Sequence, residues 1–505
     1  MKLFTGTELA IAENIAALSF TNPFIEERIL LERQILGNSY IGHEKVWNIN
    51  IDKKNKRNNK DQIKEMVSDL VGKFYLRLKQ NKNKFTVPEL KIYDQLVIYH
   101  LFEEYRERMT GSVYDGKKIP NFDFYRQFKI DFEYYFKLPQ IKLQPQFTPV
   151  RVFEIYYQVH RAFFYIFDFI IGSSKTIAQL RASIWQSIFT HDIYRYERSL
   201  FDRMQDITTL ITGPSGTGKE LVARAIALSQ YIPFDPSIKK FKVDFRNIYH
   251  PLHLSAMPQS LIESELFGHK KGAYTGALAD RAGWMELCTE HGTVFLDEIG
   301  EINEEVQVKL LRLLQSRQFQ RLGDTKNIKF KGKILAATNR NLQEAIKSNK
   351  FRGDLYYRLC SDIIETPSLS SQLEGSEKDL RLLVQYLSER IVGESETDKL
   401  AEETINWIKH NIGLNYSWPG NVRELEQCIR NILIRGTYSP INAVSTGGDA
   451  FWESFKNCDL KAEELLNVYC SMVYKKTGSY IESASNLGID RRTVKSRVEA
   501  AVYYN

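Results

Sequence analysis

The chain has 505 residues, 43% hydrophobic and 26% charged, with a formal net charge of +7, which predicts a soluble protein of about three domains with real hydrophobic cores. So small a positive excess over this length gives no general case for a polyanionic partner, and local patches must supply one. The five cysteines, Cys288, Cys360, Cys428, Cys458 and Cys470, form no C-x-x-C pair, which argues against a zinc cluster or a disulfide framework and for thiols in a reducing cytoplasm.

The N-terminal stretch MKLFTGTELAIAENIAALSF carries Glu8 and Glu13 within its apolar part, which argues against a signal peptide. The polar run DKKNKRNNKDQ that follows reads as a solvated loop. Residues 138–149, rich in proline, read as a linker or extended turn. From Val152 to Gly172 the chain is strongly apolar, yet Glu154, His160, Arg161 and Asp168 interrupt it. A membrane span would bury those charges, so a core or interdomain helix is expected and no membrane partner.

Alternating strand and helix patterns then predict an α/β nucleotide-binding domain. A β-branched run ends at Gly213 and leads into Gly213, Pro214, Ser215, Gly216, Thr217, Gly218 and Lys219, followed by an amphipathic helix. This strand, glycine loop and helix order is that of a phosphate loop. Its backbone N–H groups and the helix dipole hold phosphates, and Lys219 reaches the β- and γ-phosphates of ATP. Glu220 stands where Ser or Thr commonly touches Mg2+. It is expected to point away from the phosphates, leaving the metal to another acid and to water.

That acid is Asp297, at the end of the apolar strand in HGTVFLDEIGE, with Glu298 beside it to orient an attacking water. Another apolar strand, KGKILAATNRNLQ, ends in Thr338 and Asn339, where an α/β sheet binds ligands. Asn339 is a candidate contact for the γ-phosphate or the water. Arg352 and Arg358 read either as a solvated helix face or as arginine fingers reaching a neighbour's nucleotide.

The segments GPSGTGKE, ESELFGHKKGAYTGA, GTVFLDEIGE, KLLRLLQ, ILAATNR, FRGDLYYRL and WPGNVRELE resemble, in order and spacing, the AAA+ domain of the sigma-54-dependent transcriptional activators. The resemblance covers about residues 171–436. It implies a ring, typically a hexamer, with ATP between subunits, Arg352 and Arg358 as trans arginine fingers, Asn339 as first sensor and Arg423 as the lid's sensor arginine. It also implies that the loop Gly272, Ala273, Tyr274, Thr275, Gly276 and Ala277 contacts sigma-54 in the RNA polymerase holoenzyme. Tyr274 replaces the usual Phe, Glu220 is usual for the family, and His253 stands where an Asn normally holds the catalytic Glu at rest. His253 is therefore a candidate regulatory switch able to hydrogen-bond a carboxylate. HDIYRYERSLFDRMQD, residues 191–206, looks like an insertion.

At the C-terminus, residues 480–502 read as two short helices, with a turn at Gly488 and Asp490 capping the second. The second helix offers Arg491, Arg492, Thr493, Lys495 and Arg497 to double-stranded DNA in the manner of a helix-turn-helix. It resembles the Fis-type motif that ends these activators.

The expected architecture is thus an AAA+ P-loop ATPase with a helical lid, flanked by a mostly helical N-terminal domain and a C-terminal helix-turn-helix. Its segments are 1–170 (regulatory or sensor), 171–370 (α/β core), 371–436 (lid), 437–458 (linker) and 459–505 (DNA-binding). The expected function is ATP-driven promoter opening in the cytoplasm. An AAA+ ATPase acting on a different partner under control of the N-terminal domain is the second reading, and a mixture with sigma-54 separates the two.

Overall fold

The computed structural model describes residues 3–42, 58–80, 85–114, 122–143, 145, 147–440 and 461–500. Most of the polar run at 52–62, the linker beyond residue 440 and Cys458 lie outside them. The chain divides into two units, residues 1–429 and 430–505.

The first unit begins with seven helices: α1 (Gly6–Phe20), α2 (Glu26–Leu36), α3 (Asn59–Gln80), α4 (Val87–Tyr114), α5 (Tyr125–Phe136), α6 (Pro149–Phe169) and α7 (Lys175–Phe189). The α6 helix starts as its sequence dictates. Thr148 accepts from the Arg151 N–H at 3.2 Å, and Pro149 occupies the first turn, where its missing N–H costs nothing. It is buried on nearly every side, with Phe153, Tyr157 and Ile166 in the core. The expected core or interdomain helix is therefore present. No helix among the described residues is long and apolar enough to cross a membrane.

The ATPase-like part is built on five parallel strands: β1 (Thr209–Thr212), β2 (Tyr249–His253), β3 (Thr293–Asp297), β4 (Lys333–Thr338) and β5 (Asp362–Glu365). Their order is β5-β1-β4-β3-β2. Side chains of a strand alternate between faces, and here each face has its own core. Val294, Leu296, Ile334 and Ala336 pack with helices α9 (Gln259–Phe267) and α10 (Glu304–Ser316). Phe295, Leu335 and Ala337 join a second cluster that runs without a break through the helix after the phosphate loop, α8 (Lys219–Leu228), into α1–α7. The N-terminal helices thus share one hydrophobic cluster with the sheet.

Residues 191–206 form short turns, with Tyr196 buried and the Lys333 ammonium donating to the Met204 and Ile207 carbonyls at 3.0 and 2.7 Å. Burial pushes that ammonium down to about 8. The lid comprises α11 (Glu377–Val392), α12 (Thr397–Asn411) and α13 (Asn421–Arg435).

The second unit contains α14 (Ala462–Thr477), α15 (Tyr480–Leu487) and α16 (Arg491–Ala500) around buried Cys470, Ser483 and Val494. Gly488 takes φ +65° between α15 and α16. Asp490 accepts from the Arg492 N–H at 2.7 Å and the Thr493 hydroxyl at 2.5 Å, as expected of a cap.

Candidate nucleotide-binding site

The phosphate loop leaves β1 at Gly213, whose φ is +140°. A Cβ there would lie 2.2 Å from Thr366 Oγ1, and one at Gly216 would lie 2.5 Å from the Gly420 carbonyl, so both positions need glycine. Thr217 Oγ1 lies 2.8 Å from the Pro214 carbonyl and 2.7 Å from Thr366 Oγ1. Lys219 is buried, its Nζ donating to the Gly213 and Pro214 carbonyls at 3.0 and 3.1 Å. Burial lowers its pKa, while Glu298 and Asp297 act in the opposite sense.

The lid meets this loop through the start of α13. Val422 N donates to the Gly216 carbonyl at 3.1 Å, and Asn421 Nδ2 to the Ser215 carbonyl at 2.9 Å. Arg423 Nη1 lies 3.2 Å from Ser215 Oγ. Together they frame a pocket of about 380 Å³ that also receives Glu220, His253, Asp297 and Glu298. Glu220 is exposed at its edge. The apolar end is made by Phe169, the last residue of α6, by Ile170 and Ile171 just beyond it, and by Ile177 and Leu180 of α7. One half of the pocket suits phosphate and the other a flat apolar ring.

The β2–β3 register pairs His253 with Asp297, and the His253 Nδ1 lies 3.0 Å from Asp297 Oδ2. The carboxylate met by His253 is that of Asp297, rather than of the expected catalytic Glu298. Glu298 takes a left-handed backbone, φ +57°, and its Oε2 accepts from the Asn339 N–H at 3.3 Å. Parallel neighbouring strands thus bring the two sequence candidates together.

Arg352 and Arg358 do not line the pocket. Arg352 pairs with Asp354 at 2.9 Å, and Arg358 is exposed on the helix Gly353–Leu359. The loop Gly272–Ala277 caps a short hairpin, Gly268–His269 with Arg281–Ala282. Gly272 N donates to the Ala277 carbonyl at 2.9 Å, with φ +82° at Gly272 and +105° at Gly276. Tyr274 is 37% exposed, its ring edge-on to His269.

In α16, Arg491, Arg492 and Lys495 are exposed. Thr493 and Arg497 differ from the expectation that they are free to face DNA. Both are half-buried: Thr493 is spent on Asp490, and Arg497 donates to Asn467 at 3.1 Å.

The sequence reading missed what holds the far end of α8. Arg161 donates to the Leu228 and Gln230 carbonyls at 2.7 and 2.6 Å, and Gln158 to the Ser229 carbonyl at 2.9 Å. Glu154 accepts from the Phe234 N–H at 2.8 Å and the Tyr231 hydroxyl at 2.6 Å. The signal was the polar residues interrupting an apolar helix. They also mark partners that an otherwise apolar core must satisfy.

A family model for the sigma-54 interaction domain matches residues 186–365, and one for the AAA+ ATPase lid domain matches residues 376–445. The chain thus carries a segment similar to the sigma-54 interaction domain, followed by one similar to the AAA+ ATPase lid. The Nif-specific regulatory protein of Herbaspirillum seropedicae is 38% identical over 265 residues, 52% of this chain and 42% of the relative. The transcriptional regulatory protein ZraR of Escherichia coli strain K12 is 36% identical over 300 residues, 58% of this chain and 63% of the relative. The chain therefore spans less than two thirds of the length of these relatives. A solved structure of NtrX from Brucella abortus overlays with a TM-score of 0.41 at 20% identity, covering 80% of this chain and 85% of that one. The phosphate loop, lid helices and hairpin loop described above all lie within the matched segments. The helices α1–α6 lie outside them, as do the residues Gln158 and Arg161 that hold α8.

Proposed function

We propose that this chain hydrolyses ATP to remodel sigma-54 RNA polymerase holoenzyme and open promoters, its C-terminal helices binding DNA upstream of them. The observation that carries this reading is the convergence of Lys219, Asp297, Glu298 and Arg423 on one pocket closed by the lid. The phosphate loop N–H groups and Lys219 bind the triphosphate, and Arg423 neutralises it from the lid side. Glu298, hydrogen-bonded by the Asn339 N–H, orients the attacking water. Asp297 offers hard oxygens of the kind Mg2+ takes, one carboxylate with the remaining ligands from phosphate and water. When bound, Mg2+ would neutralise charge developing on the β- and γ-phosphates. Arg352 and Arg358, away from the chain's own pocket, suit a role on a neighbour's nucleotide within a ring, here taken as a hexamer.

The segments 1–170, 171–370, 371–436, 437–458 and 459–505 are proposed as regulatory domain, ATPase core, lid, linker and DNA reader. The loop around Tyr274 is proposed to contact sigma-54. Its two left-handed glycines and a partly exposed aromatic tip suit a moving contact. Purified full-length protein tests this. Lys219→Ala should lose ATP binding, Glu298→Gln should bind ATP without turnover, and Tyr274→Ala should hydrolyse ATP yet fail to open a sigma-54 promoter. Normal turnover by Glu298→Gln removes Glu298 from the mechanism. No complex of the wild type with sigma-54 and a transition-state mimic of ATP moves the target to another partner.

A further inference from the structure

The N-terminal helices frame a second, partly open cavity of about 600 Å³, within the size range of small-molecule sites. No residue lines both it and the nucleotide pocket. Its walls combine aromatic rings, among them Phe102 from α4, Phe163 from α6 and Trp185 from α7, with charged side chains that include Lys60, which is not among the influences on the Glu197 carboxyl. It opens to the outside, so a small molecule can enter it.

Polar groups on its wall bear on what it can hold. Glu197, from the segment that reads as an insertion, lines the cavity. Burial alone raises its carboxyl, to about 8, and no charged neighbour offsets that. His160 and Trp185 also line the cavity, and each keeps a buried nitrogen, Nε2 and Nε1, without a partner. The other imidazole nitrogen lies 3.2 Å from Thr110 Oγ1, and the ring stacks on Phe102 at 4.6 Å. Burial pushes His160 down to about 3, so it supplies no positive charge to the acid. Arg28 and Arg106, on the same wall, are tied to Glu32 and Glu103 at 2.9 and 2.8 Å.

Aromatic faces around a carboxyl that lacks a cation are the chemistry that receives an organic ammonium group. We propose that this cavity is a binding site for an aromatic amine, its ring held among Phe102, Phe163 and Trp185 and its ammonium on Glu197. The place of the cavity gives such a ligand leverage. Tyr156, His160 and Phe163 stand on α6, the same helix whose Gln158 and Arg161 hold the end of α8. What fills the cavity therefore bears on the helix that begins at the phosphate loop.

Three probes that share an indole ring and differ in their polar end test the site on the full chain: tryptamine, tryptophol and indole-3-acetate. Calorimetry should show tryptamine binding at least about tenfold more tightly than the alcohol, with the acid weakest, since an ammonium–carboxylate contact in a desolvated site exceeds a neutral hydrogen bond. Glu197→Gln should erase that preference while retaining tryptophol binding. The proposal is overturned if tryptamine shows no binding at millimolar concentration, if the acid binds best, or if Glu197→Gln keeps the full preference for the amine. The binding readout is independent of ATP turnover, so failure here and failure of the ATPase reading are told apart.

Discussion

Arg161 Nη1 donates to the Leu228 carbonyl at 2.7 Å, so a helix outside the matched ATPase segments closes the C-terminal end of the helix that starts at the phosphate loop. A cation at a helix C-terminus also complements its dipole. Arg161 is almost wholly buried, and its nearest ionic influences are tyrosines, with its guanidinium 5.3 Å from the Tyr157 and Phe245 ring centres. Arg161→Met leaves the Leu228 and Gln230 carbonyls unpaired, at about 1–3 kcal/mol each, offset by removal of a buried charge. The expected net loss is about 2 kcal/mol, read as a lower urea midpoint, together with a raised KM for ATP. An unchanged midpoint would show the contact to be neutral.

The same relationship bears on truncation. A chain starting near Gly172 would lose α6 and uncover Ala223, Ile226 and Ala227 of α8, which lie in the shared cluster. Such a fragment should sediment as aggregates, whereas the full chain should not. A soluble, monodisperse fragment would mean that the ATPase core closes over that face by itself.

His253 and Asp297 face each other across the β2–β3 pair at 3.0 Å. An outer hydrogen bond of this kind would orient Asp297 in the Mg2+ role proposed for it. His253→Ala should lower ATP turnover roughly tenfold and raise the Mg2+ concentration needed for half-maximal rate. A change in kcat with no shift in the Mg2+ requirement would place the histidine's effect elsewhere.

The legible parts of this molecule are those where chemistry demands a fixed sequence. A phosphate loop must have Gly213 and Gly216 because Thr366 and Gly420 leave no room for a Cβ, so a glycine pattern announces it. The pairing of Glu298 with Asn339 follows from neighbouring parallel strands, which local sequence cannot show. Partner choice was harder to read. His253 meets Asp297 because of strand register, and Arg497 is diverted to Asn467 from a helix some thirty residues away. The N-terminal cavity was illegible for a plain reason. Its walls come from five separated stretches, 18–28, 58–60, 98–111, 156–167 and 185–197, and only the stray charges of α6 hinted at buried polar partners.

Glu197 also makes stability depend on pH. Its carboxyl titrates at about 8 in the folded chain against an ordinary value of 4.5. Between those values the folded state keeps a proton that the unfolded state has released, so stability falls as pH rises through this window. The contribution is fully present below 4.5 and lost above 8. Glu197→Gln removes it, and the variant should gain on the wild type by about 2 kcal/mol between pH 5 and pH 8, allowing for solvent in the cavity. The measurement is the difference in urea midpoints at the two pH values. A constant difference would show that the carboxyl is already ionised at pH 5.

The C-terminal helices divide the basic residues into two groups with different expected phenotypes. Arg491, Arg492 and Lys495 are exposed near the start of α16, where a recognition helix approaches the major groove. Alanine at any of them should weaken binding to the cognate DNA and, for a lost phosphate contact, reduce the salt slope by about one. Arg497 is different because its guanidinium donates to Asn467 of α14. Arg497→Ala should lower the thermal stability of the C-terminal unit and weaken DNA binding only through that loss. Binding curves over a range of salt, combined with melting of the isolated phenotype by circular dichroism, separate the groups. If Arg497→Ala changes the salt slope as Arg491→Ala does while its melting temperature is unchanged, Arg497 is a DNA contact and the Asn467 bond is incidental.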